Sequence, residues 1–472
     1  MNRAASLSVF GFIFGTVLVG CASLAPQVPT AEPQIPKQWP ANQVQPKAVI
    51  DADQNSVIAA DLGWRDFFID TRLQALISQA LQNNRDLRVA LLSVERARAQ
   101  YRIVRADRVP TALLTAQTSR TGGDAALQEF NSVSLGLAQF ELDLFGRVHN
   151  LSASALQSYL ATEETARSVR LLLVAEVANA WLQLATDLQL QRISQATLEN
   201  YEEAFKLSEQ RQALGAVSGL DVSQSRTVVE AARVDSARFA GRVATDRNAL
   251  ALLIGGAFDP QLLPERFEPQ ISGVQPLPPG LPSIVLLRRP DIRAAEHRLL
   301  AANANIGAAR AAFFPAITLT GSIGSSSDEL AGLFESASRS WSFLPRISVP
   351  IFQGGRLRAG LAVATADRDI ALARYEQAIQ SGFREVADAL ALSQTLAAQR
   401  LAQEALLAAA LRVHELSNAR YRAGQDSYLV LLDAQRTLFS ARLALVSTQQ
   451  AEQANRVLLF RALGGGLQEQ SQ

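Results

Sequence analysis

The stretch Arg420-Tyr-Arg-Ala-Gly-Gln-Asp-Ser-Tyr-Leu-Val-Leu-Leu-Asp-Ala-Gln-Arg-Thr-Leu-Phe-Ser440 decides the fold. A helical pattern runs into it, breaks at Gly424 and resumes from Ser427, a residue type suited to N-capping, with Leu429, Leu432, Arg436 and Phe439 following at helical spacing. It predicts a tight helical hairpin. The same signature surrounds Gly215. There Leu207, Ser208, Arg211, Gly215, Ser218 and Leu220 match Leu416, Ser417, Arg420, Gly424, Ser427 and Leu429 at a constant offset of 209. Two tips at a fixed offset predict a duplicated chain.

The duplication extends outward from the tips. Asp86, Leu87, Arg88, Ala90, Arg105, Ala106, Pro110 and Thr115 correspond to Asp291, Ile292, Arg293, Ala295, Arg310, Ala311, Pro315 and Thr320 at an offset of 205. Gly146, Arg147, Glu176, Val177 and Ala178 then correspond to Gly355, Arg356, Glu385, Val386 and Ala387 at 209, which places a short insertion between Thr320 and Gly355. Because the match spans Gly, Pro and Arg as well as Ala, it is more than shared alanine content. The repeats cover residues 63–256 and 284–466, joined by a Pro-rich linker, 257–283, and followed by a tail, 467–472.

Each repeat changes its period in the same order. Residues 72–106 have helical spacing, with Leu73, Leu76, Ile77 and Leu81 on one face. Beyond Pro110 the period is two, as where Phe140, Leu142 and Leu144 alternate with Glu141 and Asp143. Strands are expected at 110–120, 132–144, 315–326 and 341–351. Helical spacing then returns over residues 151–213, which contain neither Pro nor Gly. A helix of that span is about 95 Å long. Residues 356–423 are its counterpart, with interruptions expected at Gly360 and Gly382. The tips fall at 214–219 and 422–428, and rods of this length exclude a compact globule.

The 472 residues carry a net charge of +1, too little to attract nucleic acid, and only Lys37, Lys47 and Lys206 are lysine. Arg3 and the apolar run of residues 7–19 have the form of a secretory signal peptide, 1–20. Leu18-Val19-Gly20-Cys21 resembles the bacterial lipoprotein box, which implies a covalent lipid, palmitate included, on Cys21. Ala22 after it implies sorting to the outer membrane. Cys21 is the only cysteine, so no disulfide is expected. Residues 21–62, rich in Pro and Gln, read as an extended tether.

No segment after the signal has some 18 uninterrupted apolar residues, so no transmembrane helix is expected. The strand windows have the length and alternation of outer-membrane barrel strands. Four strands cannot close a barrel, so several chains contribute, or else the strands form a soluble cap on a helical stalk. Nothing points to an enzyme. His149, His297 and His414 sit apart without ligand spacing, the Asp51-Ala-Asp-Gln-Asn-Ser run lacks the Gly and terminal Glu of a calcium loop, and nucleotide or hydrolase motifs are missing. No cofactor or metal is expected.

The duplicated plan, the Arg-Ala-x-x-x-Pro segments before the strands, and Arg420-Tyr-Arg-Ala-Gly followed by Tyr428-Leu-Val-Leu-Leu-Asp-Ala-Gln-Arg resemble the TolC-like outer-membrane efflux proteins, in their lipoprotein branch. The resemblance covers about residues 60–466. It implies a mainly α fold with a membrane β-barrel. That fold is a homotrimer with four strands per chain in a 12-stranded barrel, continued by a long periplasmic α-helical barrel. It also implies an exit duct without chemistry of its own, whose partners are a periplasmic adaptor (a membrane fusion protein), an inner-membrane pump of the RND type and outer-membrane lipid. Carried over by motif, the periplasmic gate is Leu429 as a hydrophobic constriction and Asp433 as an acidic ring. Arg436 latches Asp433 or nearby backbone, and Tyr421 is a further bonding partner. Gly215, Ser218, Gly424 and Ser427 become the adaptor contacts. The first repeat, with Gln224 and Arg226 near the matching place, lacks the Leu-Asp-Ala-Gln-Arg element, so the gate is asymmetric. The alternative is a periplasmic coiled-coil scaffold or adaptor lipoprotein without a pore.

Overall fold

The computed structural model describes residues 23–32, 35–36, 63–123, 128–265, 267 and 283–465. The expected signal peptide, Cys21, most of the tether, much of the linker and the tail lie outside the described residues. The first repeat contains α1 (Trp64–Phe67), α2 (Thr71–Asn83), α3 (Arg85–Ala106), β1 (Ala112–Thr121), β2 (Gln128–Leu142), α4 (Arg147–Ala213) and α5 (Gly219–Ile254). The second contains α6 (Pro290–Ala311), β3 (Ala316–Ser327), β4 (Arg339–Ser348), α7 (Arg356–Arg422) and α8 (Tyr428–Ala462). Helices α3 and α6 keep the offset of 205, and α4 and α7 that of 209.

Two expectations are corrected. The helix expected over 72–106 is two helices, because Asn84 leaves the helical conformation (φ −61°, ψ 131°). Its Oδ1 accepts the Leu87 N–H at 2.9 Å and so caps α3. Asp70 caps α2 in the same manner, accepting from the N–H groups of Arg72 and Leu73. The breaks expected at Gly360 and Gly382 do not occur, and α7 runs unbroken through both. A glycine inside a helix costs only about 1 kcal/mol, which the packing of so long a helix offsets. At Gly382 a Cβ would come within 3.3 Å of Ile292 and 3.5 Å of the Arg289 guanidinium, so the missing side chain makes room there.

The chain divides into two compact units. The first comprises Met1–Glu32, Leu92–Glu164 and Arg293–Ala378 and holds the sheet. Its order is β1-β2-β3-β4, every pair antiparallel, so the hairpins of the two repeats join through β2 and β3. The β2–β3 register shifts once, between Leu137 and Phe140. Residues 23–32 lie along the helices of this unit: Ser23 Oγ donates to Asn150 Oδ1 at 2.6 Å, and Asn303 Nδ2 donates to the Pro26 carbonyl at 2.8 Å.

The second unit comprises Pro33–Leu91, Thr165–Ile292 and Ile379–Gln472. Its main core sets Leu73, Leu76 and Ile77 of α2 against Val177, Trp181 and Leu184 of α4, and Phe67 stacks on Phe460 at 4.1 Å. Helix α4 contains an 18-residue window of mean hydropathy 1.3, apolar and long enough to cross a membrane by composition, although the sequence offered no uninterrupted apolar run. Two-thirds of that window (67%) is buried within the chain, so this apolarity serves the core. The repeats end alike: Asn84 Nδ2 donates to the Leu253 carbonyl at 2.9 Å, and Arg289, at the equivalent position, donates to the equivalent Ala462 carbonyl at 2.7 Å.

Candidate functional site on the sheet and the hairpin tips

Alternation along four registered strands sorts the sheet into two chemically different faces. On one face Leu114, Leu135, Ile323 and Trp341 form a single row across all four strands. The neighbouring row is Ala112, Leu137, Gly321 and Phe343, and beyond the register shift Leu142, Ile317 and Ile347 continue the band. On the other face lie Thr115, Ser134, Gly324 and Ser340, then Ser322 and Ser342, whose hydroxyls meet at 2.8 Å. Leu113, Phe130 and Leu344 are the large apolar exceptions on this face.

The apolar face is uncovered: Leu114 is 76% exposed, Ile323 66% and Trp341 79%. Every residue of β1 and β4 is exposed, and each of these strands pairs on one side only. Such a sheet suits hydrocarbon on one side and water on the other, and it presents two open edges that hydrocarbon does not tolerate.

The tips belong to the second unit. Gly215 and Gly424 take the left-handed conformation (φ 73° and 72°) that lets each chain reverse. Behind each glycine the bonds coincide: Ala216 N–H to the Arg211 carbonyl at 2.9 Å, and Gln425 N–H to the Arg420 carbonyl at 3.0 Å. The flanking leucines are exposed in pairs, Leu207 with Leu416 and Leu220 with Leu429, while Ser208 and Ser417 are both buried. The caps differ. Ser218 forms a capping box with Asp221, whereas the Ser427 side chain makes no capping bond, and Val430, which cannot return the bond of a box, stands where Asp221 stands in the first tip. In the second tip Asp426 is instead held by Arg420 at 2.7 Å.

The four gate candidates fall in two places. Leu429, Asp433 and Arg436 share the exposed face of α8, and no ion pair joins Asp433 to Arg436 among the described residues. Tyr421 points elsewhere: its hydroxyl accepts from Arg211 Nη1 at 3.2 Å, and its ring lies 5.6 Å from that of Tyr428. Sequence reasoning missed the group around it. Ser225 Oγ donates to the Tyr428 hydroxyl at 2.8 Å, and Tyr201 and Leu432 are buried alongside. Burial, with Tyr428 nearby, pushes Tyr201 up to about 12. These bonds tie the two hairpins together just behind their tips. The signal was Tyr428 itself, an aromatic residue immediately before the exposed Leu429 and Val430, but its partner Ser225 lies some 200 positions earlier. Of the lone histidines, His297 meets Gln157 at 2.7 Å, and among the described residues no three His, Cys, Asp or Glu side chains gather as a metal site would require.

The profile of the family described as outer membrane efflux protein matches residues 76–256 and 281–465. The chain belongs to that family. It is similar to the toluene efflux pump outer membrane protein TtgC of Pseudomonas putida, with 44% identity over 99% of this chain and 96% of the relative. It is likewise 42% identical to the cation efflux system protein CusC of Escherichia coli, over 97% of this chain and 98% of that one. Among solved structures, the open state of the Neisseria gonorrhoeae MtrE outer membrane channel superposes with a TM-score of 0.86 at 38% identity, covering 94% of this chain and 99% of MtrE. The fold is that of the outer-membrane efflux channels, and the chain is a channel of that class rather than a scaffold without a pore.

Proposed function

We propose that three copies of this chain close a 12-stranded barrel in the outer membrane and form the exit duct of a tripartite efflux system. Each copy contributes four strands, and the long helices of the three copies enclose the periplasmic part. The observation that carries this reading is the sheet, with its apolar face bare, its polar face lined by Ser and Thr, and its two edges unpaired. A lipid on Cys21 gives each copy a second hold on the membrane. The tips at Gly215, Ser218, Gly424 and Ser427 meet a periplasmic adaptor, which links the duct to an inner-membrane pump of the RND type. The exposed face carrying Leu429, Asp433 and Arg436 lines the periplasmic opening, with Leu429 as the constriction and Asp433 as an acidic ring. Arg436 bonds across to a neighbouring copy, since among the described residues no hydrogen bond or ion pair of its own chain holds it. Tyr421, bonded to Arg211, fixes the two hairpins to each other.

Planar-bilayer conductance tests this gate. Wild-type protein is expected to give small, cation-preferring currents, and Asp433→Ala to raise the current and weaken the preference. Equal currents from the two proteins would move the gate away from Asp433, and absence of current from folded, inserted protein would sink the duct reading.

A further inference from the structure

Two carboxyl groups meet between α4 and α5 in the second unit, away from the gate face. Asp187 on α4 is 1% exposed, and its Oδ2 accepts from Gln183 Nε2 at 2.7 Å. Asp246 on α5 is half-buried and faces Asp187, so that a proton on Asp246 would give the two carboxyl groups a hydrogen bond. Asp187 Oδ1 and Asp246 Oδ2 are both buried without a donor. Arg242, one turn before Asp246, reaches Asp187 Oδ1 only at 3.8 Å and is half exposed. Among the described residues, the charges acting on Asp246 are those of Asp187 and Arg242. Alongside, α4, α5 and α8 pack through apolar side chains, Leu190, Phe239 and Val446.

We propose that Asp246 keeps its proton against Asp187, and that its loss drives α4 and α5 apart and loosens the first hairpin, making that hairpin a proton-responsive part of the duct. The inference rests on the reading of the hairpins as periplasmic duct wall.

Burial and the neighbouring Asp187 push Asp246 up to about 7. The folded pair therefore holds a proton that the unfolded chain would release at the ordinary carboxylate value. Its contribution to stability is complete in acid and is lost as pH rises through about 7. Above that point two carboxylates face each other across the helix pair, and Arg242 neutralises one at most.

The test is amide hydrogen exchange on full-length protein in detergent, corrected for intrinsic rates, together with infrared detection of the protonated carboxyl. Wild type is expected to lose protection around residues 183–191 and 242–250 by up to about tenfold per pH unit as pH rises from the ordinary carboxylate range to about 7, with no further loss above it and with the carboxyl band fading through about 7. Asp246→Asn, which keeps a donor and cannot ionise, is expected to hold its protection at every pH and to lack the band. Asp187→Asn serves as the second variant and should behave likewise. Loss of protection in Asp246→Asn equal to wild type, or no carboxyl band at pH 6, would overturn the proton on Asp246. Conductance measured in parallel separates the readings: a proton-linked exchange change in protein that conducts no ions would keep the carboxyl pair and discard the duct.

Discussion

At the scale of single residues, the start of α6 is held by one guanidinium. Arg289, its side chain 9% exposed, donates to both oxygens of Asp291, to Glu385 at 2.9 Å and to the Ala462 carbonyl at 2.7 Å. Burial opposes the charge on Asp291, yet bonding to Arg289 keeps its carboxyl below the ordinary value. Asp291 and Glu385 are themselves 42% and 29% exposed, so solvent screens them and losing Arg289 costs less than the about 3–5 kcal/mol of a fully buried pair. Arg289→Ala is therefore expected to lower the thermal midpoint of the purified protein clearly, and Arg289→Lys to recover only part, since an ammonium cannot bridge the same set of acceptors. An unchanged midpoint in Arg289→Ala would show that this cluster holds nothing. Self-comparison of the sequence flagged Asp86 and Asp291 but passed over their neighbours Asn84 and Arg289, because the two residues differ. The structure shows them in one role, tying a helix start to the end of the returning helix. Geometry has been kept where chemistry has diverged, and identity matching cannot see that.

Among the elements, the long helices, the strands and both tips were legible because they rest on local signals: freedom from Pro and Gly, a period of two, and glycine in the left-handed conformation. The continuity of α7 through Gly360 and Gly382 was not, because it rests on the packing of the whole long helix, which offsets the small cost of a glycine. Nor could the caps be told apart by their shared serines. Ser218 makes its box with Asp221, while Ser427 has Val430 in that place. Ser218→Ala is expected to cost about 1 kcal/mol, read as faster exchange of the first N–H groups of α5. Ser427→Ala should leave α8 within a few tenths of a kcal/mol, since no side-chain bond is lost. Equal effects at both tips would refute the asymmetry. The Arg420–Asp426 pair does not alter this expectation, for exposed ion pairs contribute little.

At the scale of the whole molecule, the alternation of each strand could be read from the sequence, but the join between repeats could not. The β2–β3 pairing connects segments far apart along the chain, and its register shift at Leu137–Phe140 has no local marker. Closure of the proposed barrel lies a step further, in the pairing it requires between β4 of one copy and β1 of the next. Cysteines can test it, since Cys21 is the only native one. Thr115 and Ser342 both lie on the polar face, on β1 and β4. Within one chain two strands separate them, roughly 14 Å at about 4.8 Å per strand, too far for a disulfide. Between copies, directly opposed residues on paired strands lie about 4.5–5.5 Å apart, within disulfide reach. Thr115→Cys combined in turn with Ser340→Cys, Ser342→Cys or Leu344→Cys samples three registers on that face. One combination is expected to give an oxidant-dependent covalent trimer on denaturing gels, reversed by reductant. Covalent species limited to dimers in every combination would contradict a closed ring of three, and no cross-linking in any of them would show that β1 and β4 do not meet.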